Sequence, residues 1–260
     1  MLSVNSTRTL RLGDIEVARI GLGTNRLTRS PEHVTFVKHA VAAGVNLIDT
    51  AHTYAGGESE ETIGAALTGN RDGVIVATKG GYGPGQGRPE ALRAQIDASL
   101  RRLRMDQIGL YYLHRIDPGT PLEESLGAIS EYRDRGKIRH VGLSQVGIDQ
   151  IELARRIVPI AAVQNHYNLS ERSYDDVVDY CAREGILFVP FFPLHGGGGA
   201  PLAAIAQRHG ATPGQIALAW LLSRSLTTLP IPGSLSLDHV RENLGALEIE
   251  LSDAEFAALR

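Results

Sequence analysis

The chain has 260 residues, 43% of them hydrophobic and 21% charged, and a formal net charge of −3 at pH 7. This is the composition of a globular protein with enough chain for a large core, and its near-neutral charge excludes nucleic acid as a main partner, which would need a basic stripe to meet phosphates. The lone cysteine, Cys181, excludes an intramolecular disulfide, argues against a thiolate metal site and fits a reducing, cytoplasmic setting; no apolar core of signal-peptide length opens the chain, and no stretch approaches the roughly 20 apolar residues that span a bilayer.

The first pattern is a pair of alternating runs, Thr9–Leu12 and Ile15–Ala18, on either side of Gly13-Asp14, which reads as a β-hairpin with a tight turn. Apolar runs of strand length then recur at 18–23 (ARIGLG), 45–49 (VNLID), 74–78 (VIVAT), 108–114 (IGLYYLH), 138–144 (IRHVGLS), 161–166 (AAVQNH), 186–191 (ILFVPF) and 227–232 (TTLPIP). Helical patterns lie between them. The first has Ser30 at its N-cap, Pro31 in its first turn and Gly44 beyond its end. A polar, acidic segment after Tyr54 also turns helical. The pattern at 88–104 puts Leu92, Ile96, Leu100 and Leu103 on one face, and its Arg101, Arg102 and Arg104 read as the solvated face of a helix end. The next starts Thr120-Pro121, sets Glu123 and Glu124 against the positive end of the helix dipole and stops at Gly136. Segments at 148–157, 170–184, 201–209, 213–223 and 236–246 complete the set.

Eight strands alternating with helices predict a parallel sheet joined by right-handed crossovers. A chain of this length accommodates an α/β fold of the (β/α)8 TIM-barrel type as a single domain over residues 1–260, with the N-terminal hairpin closing the barrel floor. The rival architecture is a doubly wound open sheet, in which the hairpin has no floor to close.

In a barrel the C-terminal ends of the strands share one face, and the chemistry sits there. The second strand ends at Asp49, with Tyr54 just beyond; the third delivers Lys79 and the fourth His114. Taken singly, a lysine or histidine at a strand end is usually structural; four such groups on one rim point to a site. A phenol, with an ordinary pKa of about 10, is a weak proton donor near neutrality unless its anion is stabilised. Lys79 supplies that stabilisation to Tyr54, Asp49 keeps Lys79 charged, and His114 donates a hydrogen bond that orients the substrate oxygen. Such a site gives a proton to an oxygen gathering negative charge. The matching reaction is carbonyl reduction, with the reducing equivalent drawn from a nicotinamide cofactor.

The stretches GLGT (21–24), NLIDTAHTY (46–54), VATK (76–79), LYYLHRID (110–117), GKIRHVGLS (136–144), VQNHYN (163–168) and LPIPGSLSLDHVRENL (229–244) resemble the aldo-keto reductase family, most closely its bacterial and plant branches. The resemblance runs from about Thr9 to the C-terminus and implies a (β/α)8 barrel, with Asp49, Tyr54, Lys79 and His114 as the catalytic four. It implies NADPH as cofactor, with NADH the alternative, and a small-molecule carbonyl as the substrate.

The same resemblance implies the cofactor contacts. Thr24 lies near the nicotinamide ribose, with Gly23 and Asp49 also among the cofactor contacts; Ser144 and Gln164 hold the carboxamide, with Gln145 standing where the family usually has Asn. Phe191 stacks on the nicotinamide, and Phe192 replaces a common Ser and is read equally as core. Leu194 and Gly196 belong to a glycine-rich loop facing the pyrophosphate, which reads equally as plain flexible loop. Ser234 meets the 2′-phosphate, and Glu242 and Asn243 hold adenine. Gly233 and His239 occupy positions where the family often has Lys and Arg, which removes permanent charge and weakens the preference for NADPH. Asn25, Arg26, Tyr82 and Arg115 are expected near the substrate mouth, where Arg26 or Arg115 either favours an anionic substrate or, more simply, forms an ordinary surface salt bridge. The brief loop after the fourth strand and the short C-terminal segment imply an open site. Two rival functions stay open: a redox-sensing binding subunit with little turnover, and a metal-dependent barrel hydrolase or isomerase, for which no convergent ligand set is seen.

Overall fold

The computed structural model describes residues 8–69, 71–196 and 198–259. Gly197 of the glycine-rich loop and the first seven residues lie outside that description. The hairpin is present: β1 (Thr9–Leu12) pairs antiparallel with β2 (Ile15–Ala18), and Gly13 turns the chain at φ +58°. Seven parallel strands follow among the described residues: β3 (Leu22–Gly23), β4 (Leu47–Asp49), β5 (Ile75–Gly80), β6 (Ile108–Leu113), β7 (Ile138–Ser144), β8 (Ile160–Gln164) and β9 (Leu187–Phe188). Each lies beside its sequence neighbour, as right-handed crossovers require.

The run expected as an eighth strand, 227–232, forms bridges and no regular strand. Its alternating prolines explain this. Leu229 N donates to Phe188 O at 2.9 Å on one side, while on the other Gly21 N and Gly23 N donate to the carbonyls of Pro230 and Pro232 at 3.0 and 3.1 Å. Proline has no N–H to return, so this edge accepts hydrogen bonds from β3 without giving any. The seam still joins the two ends of the sheet, through the parallel bridges Gly23↔Gly233 and Phe188↔Thr228. The first predicted strand, 18–23, shortens to Leu22–Gly23 against the same half-ladder.

The helices cover the outside of this cylinder: α1 (Pro31–Ala42), α2 (Glu58–Leu67), α3 (Pro89–Leu103), α4 (Leu122–Asp134), α5 (Ile148–Arg155), α6 (Asp175–Glu184), α7 (Ala200–His209), α8 (Pro213–Arg224), α9 (Leu237–Gly245) and α10 (Asp253–Ala258). Ser30 caps α1 as expected, accepting from His33 N. The helix expected from residue 170 begins instead at Asp175, because Asn168 Oδ1 accepts from Ser170 N and Glu171 N at 2.9 and 3.0 Å and holds the chain in a side-chain turn.

Side chains alternate across the strands and build two cores. Leu47, Ile75, Ala77, Leu110, Tyr112, Ala162, Leu187, Leu229 and Ile231 point into the cylinder, with Leu12 and Val17 of the hairpin packed among them. Ile48, Val76, Tyr111, Leu143, Val163 and Phe188 point outward to the helices. The inner layer is filled, and Gly142 is what lets Tyr112 lie there: a Cβ at Gly142 would stand 2.5 Å from Tyr112 Cδ1. The hairpin turn is tied to the start of β7, where Asp14 meets Arg139 at 2.5 Å and His140 at 3.1 Å. No described helix is long and apolar enough to cross a membrane.

Candidate active site

The inward alternation that builds the inner core continues to the top of each strand and there turns polar. Counting up from Leu47, Ala77, Tyr112, Gly142 and Ala162, the next inward positions are Asp49, Lys79, His114, Ser144 and Gln164. All five are buried. Tyr54 comes from the turn after β4, Tyr54–Gly57, where Ala55, Gly56 and Gly57 follow one another at φ +48°, +64° and +103° before α2 starts.

Lys79 is the centre of the set. It is fully buried, and its Nζ lies 2.5 Å from Asp49 Oδ1, 2.7 Å from Thr50 O and 3.5 Å from the Tyr54 hydroxyl. An ammonium has three protons, and here each has one acceptor. Asp49 Oδ2 accepts from Gln164 Nε2 at 2.8 Å, so both carboxylate oxygens are bonded. Burial works to lower the pKa of Lys79, and the Asp49 charge together with Tyr54 outweighs it, so the amine is held above its ordinary range and stays charged. Burial raises the Asp49 carboxyl, with Lys79 and Gln164 opposing. The two directions pull against each other within one pair; the raised Lys79 is the one its three acceptors support.

His114 stands beside this group, its ring 6.3 Å from that of Tyr54 in an edge-to-face arrangement. Burial, then the charges of Lys79 and Arg115, push its pKa down to about 3, so the imidazole is neutral at physiological pH. Its Nδ1 is buried without a hydrogen-bond partner among the described residues. The Tyr82 ring tilts against it at 4.8 Å. Arg115 donates to His114 O at 2.6 Å and to Ser144 Oγ at 3.0 Å, and lies 5.8 Å from the centre of the Tyr82 ring.

Tyr82 and Arg115 therefore lie against His114, whereas Asn25 and Arg26 lie against Gly233. Arg26 donates to Gly233 O at 2.9 Å, and Asn25 Oδ1 lies 3.6 Å from where a Cβ on Gly233 would be. Among the described residues neither Arg26 nor Arg115 forms a surface salt bridge; both donate to uncharged oxygens.

The expected cofactor residues fall in three places. Gly23, bridged to Gly233, and Thr24, whose hydroxyl donates to Asp49 O at 2.7 Å, brace the top of β4. Ser144 and Gln164 are register partners at the tops of β7 and β8. Gln145, at φ +57°, turns its amide to accept from His166 N at 2.7 Å. Phe191 stacks at 5.3 Å on His166, while Phe192, 43% exposed, stacks on His195 and is not core. Leu194 packs on the outer core. Gly196 leaves room for Ser170, whose Oγ would lie 2.2 Å from a Cβ there and which donates to Gly196 O at 2.6 Å. Around α9, Ser234 exchanges hydrogen bonds with the Ser236 backbone, Ser236 caps the helix at His239 N, Glu242 accepts from Thr212 Oγ1 at 2.7 Å, and Asn243 is buried.

Sequence reasoning gave no role to His166 or Asn165 and read Arg102 as part of a solvated helix end. Asn165 accepts from Val146 N and donates to Val146 O, fixing the loop after Ser144. Its place beside Gln164 was the available signal. Arg101 and Arg104 are exposed, as a solvated helix end implies, but Arg102 turns inward to Glu60, His52 and Gly56. A hollow of about 810 Å³ between α1, α2 and α3 is lined by residues such as Arg29, Val34 and Arg104 and does not lie over the rim where the titratable groups converge.

The sequence profile of the Aldo/keto reductase family matches residues 19–201 and 199–260 of the chain. The chain is similar to the pyridoxine 4-dehydrogenase of Escherichia coli (strain K12), with 36% identity over 282 residues and 98% of each protein covered. It is 39% identical over 271 residues to an uncharacterized oxidoreductase of Schizosaccharomyces pombe, covering 96% of this chain and 88% of that one. Among solved structures, a thermostable aldo-keto reductase in complex with the inhibitor epalrestat superposes with a TM-score of 0.90 at 33% identity, covering 97% and 98% of the two chains. An aldo-keto reductase from Klebsiella pneumoniae in complex with NADPH gives a TM-score of 0.88 at 30% identity, covering 97% of this chain and 93% of that one. The chain belongs to the aldo/keto reductase family, and with it to the oxidoreductases.

Proposed function

We propose that this protein, as a single barrel domain, reduces an aldehyde or ketone carbonyl, with Tyr54 as the proton donor. The carrying observation is the Lys79 ammonium, held by Asp49 and Thr50 O and 3.5 Å from the Tyr54 hydroxyl. A bound nicotinamide dinucleotide supplies the hydride that reduces the carbonyl carbon. The phenol passes its proton to the carbonyl oxygen as negative charge develops there. The phenolate left behind faces an ammonium already in place, so no charge has to be moved to it at that moment. Neutral His114 donates to the same oxygen and fixes its direction, and solvent returns the proton to Tyr54.

The donor set suits the cofactor. Ser144 Oγ accepts from Arg115 and so keeps its own proton to give to a carboxamide oxygen, while Gln164, bonded to Asp49 through Nε2 and also to Tyr112, has an Oε1 with two lone pairs and so one to offer the amide. We assign Phe191 to the nicotinamide face and the 233–239 segment with Glu242 and Asn243 to the adenosine end. Gly233 and His239 bring no permanent charge there, but Arg26 does, at 2.9 Å from Gly233 O, and this supports NADPH over NADH. The lone Cys181 is buried and unpaired, which fits a cytosolic setting.

The test follows nicotinamide absorbance over a panel of carbonyls, wild type beside Tyr54→Phe. Loss of the hydroxyl is expected to lower kcat by about 10² to 10⁴-fold with cofactor still bound. An undiminished kcat in the variant would sink the assignment.

A further inference from the structure

Outside the catalytic rim, one arginine ties together segments far apart in the chain. Arg102 lies in the last turn of α3 with its side chain 26% exposed. Its Nη1 donates to His52 O at 3.3 Å and reaches His52 Nδ1 at 3.1 Å and Glu60 Oε2 at 3.2 Å; Nη2 donates to Gly56 O at 3.4 Å. A planar guanidinium can serve several acceptors at fixed angles, as a lysine ammonium cannot. Glu60 is fully buried, and its Oε1 accepts from Thr78 Oγ1 at 2.6 Å, immediately before Lys79. His52 N donates to Lys79 O at 2.9 Å, so the same turn is pinned to β5 from both sides.

The enclosed turn is one that needs holding. Ala55 follows Tyr54 directly and sits at φ +48°, a conformation a residue with a Cβ adopts only when its surroundings impose it. At Gly57 there is no room for a side chain: a Cβ would stand 2.3 Å from Arg102 Cζ. Arginine and glycine are fitted to each other across the gap between α3 and the turn.

We propose that Arg102 is a positioning residue for carbonyl reduction: by clamping His52 O, Gly56 O and Glu60 it fixes the 52–57 turn and with it the Tyr54 phenol beside Lys79. The inference rests on Tyr54 as proton donor. Arg102 contacts none of the residues assigned to the cofactor, so its loss falls on kcat and leaves dinucleotide affinity alone.

Arg102→Leu is made together with Glu60→Gln, so that no lone carboxylate is left buried. The expected result is a fall in kcat on the order of 10²-fold for a small aldehyde, with an unchanged Kd for NADPH by fluorescence titration. Arg102→Lys recovers part of the loss. Gly57→Ala, which displaces the guanidinium, reproduces the fall with Arg102 still present, and it serves as the test if the paired variant does not fold by circular dichroism. In a Tyr54→Phe background the paired variant costs nothing further, because the clamp then has no donor to position. The inference is overturned by a wild-type kcat in either folded variant, or by losses that add to that of Tyr54→Phe. A wild-type kcat in Tyr54→Phe alone overturns the proton-donor reading and this inference together, and is told apart by appearing before Arg102 is touched.

Discussion

At the scale of the residue, the site is organised by burial more than by charge. Lys79 and Asp49 are removed from water together, and a buried charge that loses its partner costs about 3–5 kcal/mol. His114 feels the same burial and has no anion beside it, so it loses its charge instead. This has a consequence in acid. The folded pKa of His114 is about 3 against an ordinary value of 6.5, so between these values the unfolded chain binds a proton that the folded chain refuses. The contribution of His114 to stability is therefore complete above pH 6.5 and is lost as pH falls toward 3. We expect His114→Asn to flatten the fall in urea midpoint between pH 6.5 and 4 relative to wild type; parallel curves would show that the imidazole is charged in the folded protein. Arg26 is the second residue with a measurable role of its own. Arg26→Met should reduce the ratio of kcat/KM for NADPH over NADH by about tenfold, the effect of losing one charge contact of roughly 1.4 kcal/mol. An unaltered ratio would remove Arg26 from the cofactor site.

At the scale of the element, the hairpin and the strand tops divide the work of the barrel. Leu12 and Val17 are fully buried in the inner core, among the lower inward residues Leu47, Ile75 and Leu110, so β1 and β2 seal the end opposite the rim that carries Asp49, Lys79 and His114. Leu12→Ala should cost about 2–5 kcal/mol of stability in urea unfolding while kcat is retained, since it lies at the end of the barrel opposite Lys79. A matching loss of kcat at a temperature where the variant is folded would mean that the two ends of the barrel are coupled. The turn after β4 is the opposite case, an irregular element whose shape is held by contacts from α2 and α3 and not by its own backbone preferences.

At the scale of the whole molecule, most of the barrel could be read from period and punctuation. Asp49, Lys79 and His114 were legible because each is a polar residue ending an apolar alternation, and parity alone aims it inward. Tyr54 was legible through its neighbours, not through any period, as it lies on a turn. The eighth strand was misread because Pro230 and Pro232 leave the apolar pattern intact while deleting the N–H groups a ladder needs. Arg102 was misread because the local pattern at a helix end is the same whether the arginine meets water or a loop from elsewhere in the chain. Gln145 and Phe192 take positive φ, which their residue types give no reason to expect.

The sharing of one alternation by core and catalyst limits how this protein can change. Shift β5 by one position and Thr78 would take the place of Lys79 inside the cylinder, while Ala77 would exchange its seat with Val76. A single inserted residue in a strand thus damages packing and chemistry in one stroke, whereas the turns between strands carry no such parity. Length variation among descendants of this chain is thereby steered away from the staves and into the connections above them, the Tyr54–Gly57 turn excepted.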